Sequence, residues 1–476
     1  MAQGLLQQLD NSNVGKFHLK AWIISGMGFF TDAYDLFIIG TVVTLLPLAG
    51  WSHLTTAYVS LISSVSLLAS VIGAFTFGRL LDALGRSRVY GFELMLLIIG
   101  AVGSAFLVPV NGVIYLLIWR FILGLGIGGD YAGSSTIMAE FSNAKNRGQL
   151  IGMVFSMQGF GLVFGPIMAL LMIRYIPDMD LVWRLLLMIG AIPAAIVLYG
   201  RRTIGETPRY SINVSGDVSS AKKVIERISG NSRITTAPDE AITEKISWKE
   251  MFTERQFLMT LIGTAGAWFA LDWAFYGNSI MSHQMLSAIV PAYIGGVAKV
   301  QITTLYSLII FAVSALPGYW IATFTVDRIG RKPLQILGFL MMAISYLVLG
   351  LLKFIYADSY IVWFMIIYGL SYFFTEFGPN VTTFIYSPEM FPTALRGLGS
   401  GLSSAGGKLG AFIGTALNVV IFAVFGENNL FLILAGISLL GALLTLFFLP
   451  ETSGRTLEDI SGERDFKRSV GSGSRK

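Results

Sequence analysis

Eight ionisable side chains stand inside otherwise apolar stretches of this sequence: Asp32, Asp35, Glu93, Arg120, Asp130, Asp272, Glu376 and Lys408. A charge at membrane depth costs upward of ~2.5 kcal/mol, so such residues mark a route for ions or protons unless they are paired for structure. Asp32 and Asp35 are three apart and share a helix face. Two carboxyl groups at that spacing in a low dielectric resist carrying charge together, which is the chemistry of a proton carrier. Trp268, Asp272 and Tyr276 recur every fourth residue and form one stripe. An aromatic stripe alone reads as packing, but here an indole N–H and a phenol flank an acid and could hold an oxyanion.

The elements that must position these groups are long apolar helices. Of the 476 residues 54% are hydrophobic and 13% charged, which describes an integral membrane protein. Twelve apolar runs are long enough to span a bilayer: 21–48, 54–81, 89–109, 112–138, 148–175, 182–200, 257–284, 298–325, 334–353, 359–387, 395–425 and 428–449. At about 1.5 Å rise per residue across a core about 30 Å thick, Asp32 and Asp35 lie roughly 18 to 22 Å beyond Lys20, near the midplane. Gln158, Asp272 and Lys408 reach comparable depth from the starts of their own runs, so separate helices deliver polar groups to one level.

Residues 1–20 are polar, and no cleaved secretory signal is expected from them. With no cysteine and three scattered histidines, neither disulfides nor a structural zinc site is expected, and no cofactor is implied. The net charge of +5 could suggest a nucleic-acid partner, but its placement excludes that reading. Lys16 and Lys20, then Arg79, Arg86 and Arg88, then Lys145 and Arg147 fall in every second connection. Arg328, Arg331 and Lys332, then Arg396, then Lys467, Arg468 and Lys476 continue the alternation; Arg174, Lys299 and Lys353 are isolated exceptions. This positive-inside pattern predicts that both termini are cytoplasmic.

A polar segment, 201–256, divides the runs six and six, and the motifs around it recur. Asp82-Ala-Leu-Gly85-Arg86 returns as Asp327-Arg-Ile-Gly330-Arg331, and Glu140 with Arg147 returns as Glu389 with Arg396. Glu206-Thr-Pro-Arg209 returns loosely as Glu451-Thr-Ser-Gly-Arg455. Three motifs repeated in order predict an all-α membrane protein of twelve transmembrane helices in two parallel six-helix halves. The expected units are an N-terminal half (1–200), a cytoplasmic central loop (201–256), a C-terminal half (257–450) and a cytoplasmic tail (451–476). Any one charged loop reads as a solvated face. As a repeated set, Asp82, Arg86, Glu140, Arg147, Asp327, Arg331, Glu389 and Arg396 predict ion pairs that close the cytoplasmic side in one state and part in the other.

Gly78-Arg-Leu-Leu-Asp82-Ala-Leu-Gly85-Arg86 and its second copy resemble the signature loop of the major facilitator superfamily. Gly128-Gly129-Asp130-Tyr131, followed by Ser135 through Glu140, resembles the fourth-helix signature of the phosphate:proton symporter family. Thr31 to Asp35, Trp268 to Gly277, Phe377-Gly378-Pro379-Asn380 and Gly407-Lys408 match that family as well. The resemblance implies that Tyr131, Gln158, Trp268, Asp272, Tyr276 and Asn380 line a phosphate site, with Lys408 near it. It implies a proton route through Asp32, Asp35, Glu93, Arg120 and Asp130, with Asp272 shared between substrate and proton.

The glycines of Gly124 to Gly129, and Gly161 with Gly165, read as points of close helix approach. The Gly161 stretch partly resembles an antiporter signature, but Ile-Met-Ala follows where glycines would continue it. Two departures from the symporter pattern stand out: Ala132-Gly133 replaces Pro-Leu, and Glu376 stands where an uncharged residue is expected. The function expected is proton-coupled import of inorganic phosphate across the plasma membrane by alternating access, in a lipid-embedded chain working as a monomer. A symporter for sulfate, an organic acid or a sugar is the nearest rival, and a nutrient sensor that moves nothing is a more distant one. No repeated histidine, metal cluster or nucleophile-base pair points to an enzyme.

Overall fold

Apolar runs without internal punctuation fold as helices in a bilayer because the backbone must satisfy its own hydrogen bonds there. In this computed structural model, which describes residues 2–229, 247–287, 289–291 and 293–463, that is what the long runs do. The crossing helices, numbered in order, are α1 (Lys16–Leu45), α2 (Thr56–Leu84), α3 (Phe92–Phe106), α4 (Val113–Phe141), α5 (Arg147–Tyr175) and α6 (Met179–Arg202). The second half comprises α7 (Arg255–Ile280), α8 (Gly296–Ile329), α9 (Arg331–Leu351), α10 (Ile361–Glu389), and a continuous stretch Arg396–Phe448. Gly426, at φ 79° and ψ 173°, breaks that stretch into α11 and α12, which restores twelve crossings. No strand occurs among the described residues.

Side chains such as Ile114, Ile196, Val313 and Phe447 point outward at 70–74% exposure, the lipid-facing surface of the bundle. Inward faces are lined by small residues where helices cross. A β-carbon on Gly124 or Gly128 of α4 would run into the α2 backbone at Ser66 and Ser70, and one on Gly161 of α5 would meet Phe30 of α1. Gly78 of α2 and Gly397 of α11 face each other across the two halves with the same lack of room. Close backbone approach supplies the van der Waals contact that drives helix association in lipid.

Two helices contain a π-helical turn, Phe311–Ala315 in α8 and Glu376–Asn380 in α10. Such a turn inserts one extra residue into the ladder and rotates the side chains that follow it. The tight reversals between α2 and α3 and between α8 and α9 rest on Gly85 (φ 100°) and Gly330 (φ 97°), a backbone region open to glycine. Short helices Ala2–Asp10, Pro208–Asn213, Val218–Ser229 and Leu457–Ile460 cluster with these reversals on one face, here called the charged face. The central segment begins later than expected, because α6 runs to Arg202 and carries Arg201 inward, fully buried. The predicted run 257–284 ends at Ile280, after which a separate turn of helix, Ser282–Ser287, folds across the opposite face. The basic tail residues Lys467, Arg468 and Lys476 lie outside the described residues.

Candidate substrate and proton site

The α7 stripe faces the junction of the halves. Asp272 accepts a hydrogen bond from Lys408 Nζ of α11 at 3.0 Å, and the same ammonium donates to the Tyr276 hydroxyl at 2.8 Å. The ammonium also sits 4.0 and 4.1 Å from the ring centres of Tyr131 and Tyr276, close enough for cation–π attraction. Tyr276 and Tyr131 share a hydrogen bond of 2.8 Å, and Gln158 Nε2 donates to the Tyr131 hydroxyl. Gln158 Oε1 in turn accepts from Tyr319 at 2.9 Å, and Asn380 Nδ2 donates to Tyr319 at 2.9 Å and to Glu376 Oε2 at 2.6 Å. One unbroken polar chain therefore runs from Asp272 to Glu376 across helices α7, α11, α4, α5, α8 and α10.

Every member of that chain is shielded from solvent, at no more than 1% exposure. Phe29, Phe155 and Phe384 wall it on one side, with Phe155 stacked on Phe384 at 4.4 Å and Phe29 edge-on to Tyr131 at 4.9 Å. Trp268 Nε1 and Asp272 Oδ1 lie in the same enclosure with no hydrogen-bond partner among the described residues. An ammonium, three phenols, two carboxamides and an indole converge here, all able to donate to an oxyanion. Tyr319 was not legible as a site residue. It lies two residues beyond Pro317 in an aromatic, apolar run, and the preceding π-turn sets which way it faces.

The acids of the first half divide into two groups. Asp32 lies within electrostatic reach of Asp130, Arg201, Asp35 and Lys408, so it looks toward the centre. Asp35 faces Arg120, whose Nη2 donates to the Asp35 carbonyl at 2.8 Å, and it packs against Gly190 at the bend of α6. Although they share a helix, the two aspartates therefore answer to different neighbours. None of their four carboxyl oxygens has a hydrogen-bond partner among the described residues. Glu93 and Asp130 are joined by Arg201, at 2.5 Å to Glu93 Oε1 and 2.6 Å to Asp130 Oδ2. Gly28 leaves the space that this guanidinium fills, Tyr90 lies beneath it at 4.4 Å, and Ser134 donates to Asp130 Oδ1 at 2.5 Å. Sequence reading placed Arg201 in the polar connection and missed it; the available signal was two acids at similar depth with no base between them.

On the charged face the repeat becomes a matched pair of clusters. Glu140 is held by Arg86 at 2.9 Å and by Arg396 of the other half at 3.0 Å; Glu389 is held by Arg331 at 2.9 Å and by Arg147 of the other half at 2.7 Å. Asp82 accepts from the backbone N–H groups of Gly397 and Leu398 at 2.9 and 2.7 Å, and Asp327 from those of Gly148 and Gln149 at 3.1 and 2.7 Å. Thr207 donates to Glu140 as Thr452 donates to Glu389. Arg209 adds a further link, binding Asp10 at 2.5 Å and Glu458 at 3.0 Å. Burial opposes the charges of that group, but Arg209 outweighs it for Glu458, whose carboxyl lies below its usual range, while burial wins at Asp10 and pushes its carboxyl up. On the opposite face His283 bridges the halves, 2.9 Å from Thr41 of α1 and 2.8 Å from Thr303 of α8. Burial pulls its imidazole down to about 4.

Twelve membrane-crossing helices that enclose a polar centre between two matched halves define a membrane transporter. Residues 21–463 match the family described as sugar (and other) transporter, and the chain belongs to that family. It is 36% identical to the probable inorganic phosphate transporter 1-8 of Arabidopsis thaliana, over 97% of this chain and 95% of that protein. It is 35% identical to the inorganic phosphate transporter 1-11 of Oryza sativa subsp. japonica, covering 96% and 90%, and 35% identical to the repressible high-affinity phosphate permease of Neurospora crassa, covering 97% and 89%. Among solved structures the proton:xylose symporter XylE matches with a TM-score of 0.75 at 21% identity, over 94% of this chain and 99% of that one. That likeness concerns the major facilitator fold.

Proposed function

We propose that this protein imports inorganic phosphate together with protons across the plasma membrane, by rocking its halves around the central site. The observation that carries this reading is Lys408, a cation bonded to Asp272 and Tyr276 amid uncharged donors at the centre of the bundle. An anion with several oxygens suits that set, and relatives of similar length at 34–36% identity are named as phosphate transporters. Tyr131, Gln158, Trp268, Asp272, Tyr276, Asn380 and Lys408 would surround the anion, and Tyr319 belongs with them.

A phosphate entering this site meets Asp272, so anion and proton binding support one another, and that mutual dependence is the coupling. Asp32, which faces both Asp130 and Lys408, is the natural link between the site and the acids of the first half. Glu93 and Asp130 share Arg201, and Asp35 faces Arg120; both groups complete the proton route. The positive-inside pattern assigns the charged face to the cytoplasm. There Arg86, Glu140, Arg396 and Asp82, with Arg331, Glu389, Arg147 and Asp327, would hold the halves together until the loaded carrier turns inward.

Purified protein in vesicles, given labelled phosphate with and without an imposed proton gradient, tests the reading. Gradient-dependent uptake is expected, and phosphate should outcompete sulfate, organic acids and sugars. Asp272→Asn is expected to abolish proton-driven uptake; a variant that kept both the uptake and its pH dependence would remove that residue from the coupling.

A further inference from the structure

Most fully buried acids of the spanning helices have a base bound or facing them. Glu93 and Asp130 have Arg201, Glu140 and Glu389 have two arginines each, Asp272 has Lys408, and Asp35 faces Arg120. Asp32 has Arg201 and Lys408 within reach. Glu376 does not share this arrangement. It opens the π-turn of α10, is 0% exposed, and is packed by α7, α8, α9 and α10 itself. The titratable groups around it are Asp272 of α7, Tyr319 of α8, Tyr346 of α9 and Tyr372 of α10. Among the described residues no lysine, arginine or histidine faces it.

We propose that Glu376 is a second proton-binding carboxyl of the transport cycle, loaded with substrate from one side and emptied on the other, in addition to the proton assigned to Asp272. The inference rests on the phosphate reading above and deepens it. An ionised carboxylate at this depth, with no counter-charge and an anion arriving at the other end of the same polar chain, is strongly disfavoured. The neutral acid has an O–H to donate, and Glu376 Oε1 has no hydrogen-bond partner among the described residues. Asn380 Nδ2, 2.6 Å from Oε2, is a donor suited to the carboxylate, and the Tyr319 hydroxyl can turn to it from Gln158 once anion has left and water reaches the site. The residue thus has a donor for its charged form and a free oxygen to carry the proton of its neutral one. The chain Glu376–Asn380–Tyr319–Gln158–Tyr131 ties its state to the substrate residues. The proton comes from water on the loading side and returns to water on the other, with no other bond made or broken.

The test is the ratio of protons to labelled phosphate taken up by vesicles, with the reversal potential under imposed pH gradients as a second measure, in wild type and Glu376→Gln. Glutamine keeps the size of the side chain and can accept from Asn380 equally well. The variant is expected to keep moving phosphate while the ratio falls by one proton, and to lose part of its pH dependence in KM. An unchanged ratio and pH profile would mean that Glu376 merely holds Asn380, and would overturn the proposal. Infrared difference spectra cover the case in which that variant does not fold. Adding phosphate to wild type is expected to raise a protonated-carboxyl carbonyl band that shifts in Glu376→Asp, and no such band in wild type overturns the proposal equally. Wild-type vesicles that take up no phosphate at all refute the phosphate reading; wild-type uptake with a ratio indifferent to Glu376→Gln refutes the role of Glu376 alone.

Discussion

Arg201 shows what one side chain holds together. Its guanidinium is fully buried and, among the described residues, is the base bound to both Glu93 and Asp130. Removing one partner of a buried ion pair costs about 3–5 kcal/mol, because the charge left behind has neither water nor a counter-ion. Arg201→Ala is therefore expected to lower the melting temperature sharply, and Arg201→Lys to lower it less, since a single ammonium cannot present the two-pronged fork. Adding Glu93→Gln and Asp130→Asn to Arg201→Ala should recover much of the stability without restoring uptake. Calorimetric or fluorescence melts of the four proteins in one detergent check this, and a triple variant no more stable than the single one would contradict it.

At the scale of elements, the π-turn of α10 decides where Glu376 and Asn380 point, and it is seated by a close contact with α9. Gly378 and Pro379 lie directly against Gly338, where a β-carbon has no room. Gly338→Leu is expected to push α9 from α10 and to cost about 1–3 kcal/mol through overpacking, with phosphate uptake falling further than stability because the turn aims the site. Uptake and melting temperature measured together test that order. The twelve crossings were readable from apolar length alone, and so were the acids and Lys408, since a charge in an apolar run is conspicuous whatever the backbone does. The two π-turns, the break at Gly426 and the inward reach of Arg201 were not readable. Composition records what a segment is made of, while these features depend on which carbonyl each N–H finds and on the neighbour it meets. Tyr319 was hidden for the same reason.

Across the whole molecule, the repeat read from motifs such as Asp82 with Arg86 and Asp327 with Arg331 reappears as two clusters that each borrow an arginine from the other half. Those clusters join the halves on one face, and the His283 bridge joins them on the other. The bridge carries a pH dependence of definite sign. Its imidazole is pulled down to about 4 by burial, against about 6.5 for an exposed histidine. The open form therefore takes up a proton over that interval while the closed form does not. Closure on that face weakens as pH falls from about 6.5 toward 4, by about 1.4 kcal/mol per pH unit. Acid is expected to increase labelling, corrected for the falling thiolate fraction, of a cysteine placed at Ile38 beside the bridge, in a protein with no native cysteine to interfere, and His283→Gln should remove that increase.

The pairing of Lys408 with Asp272 has one more consequence, an electrical one. A unit charge carried through 100 mV gains or loses about 2.3 kcal/mol, whereas an ammonium and a carboxylate 3.0 Å apart travel through the field as a dipole with no net charge. That pair therefore adds nothing to the voltage dependence of the reset, which in the second half falls to the emptied Glu376 carboxylate. Membrane potential then acts on the cargo, its protons and Glu376 rather than on the pair that meets the anion.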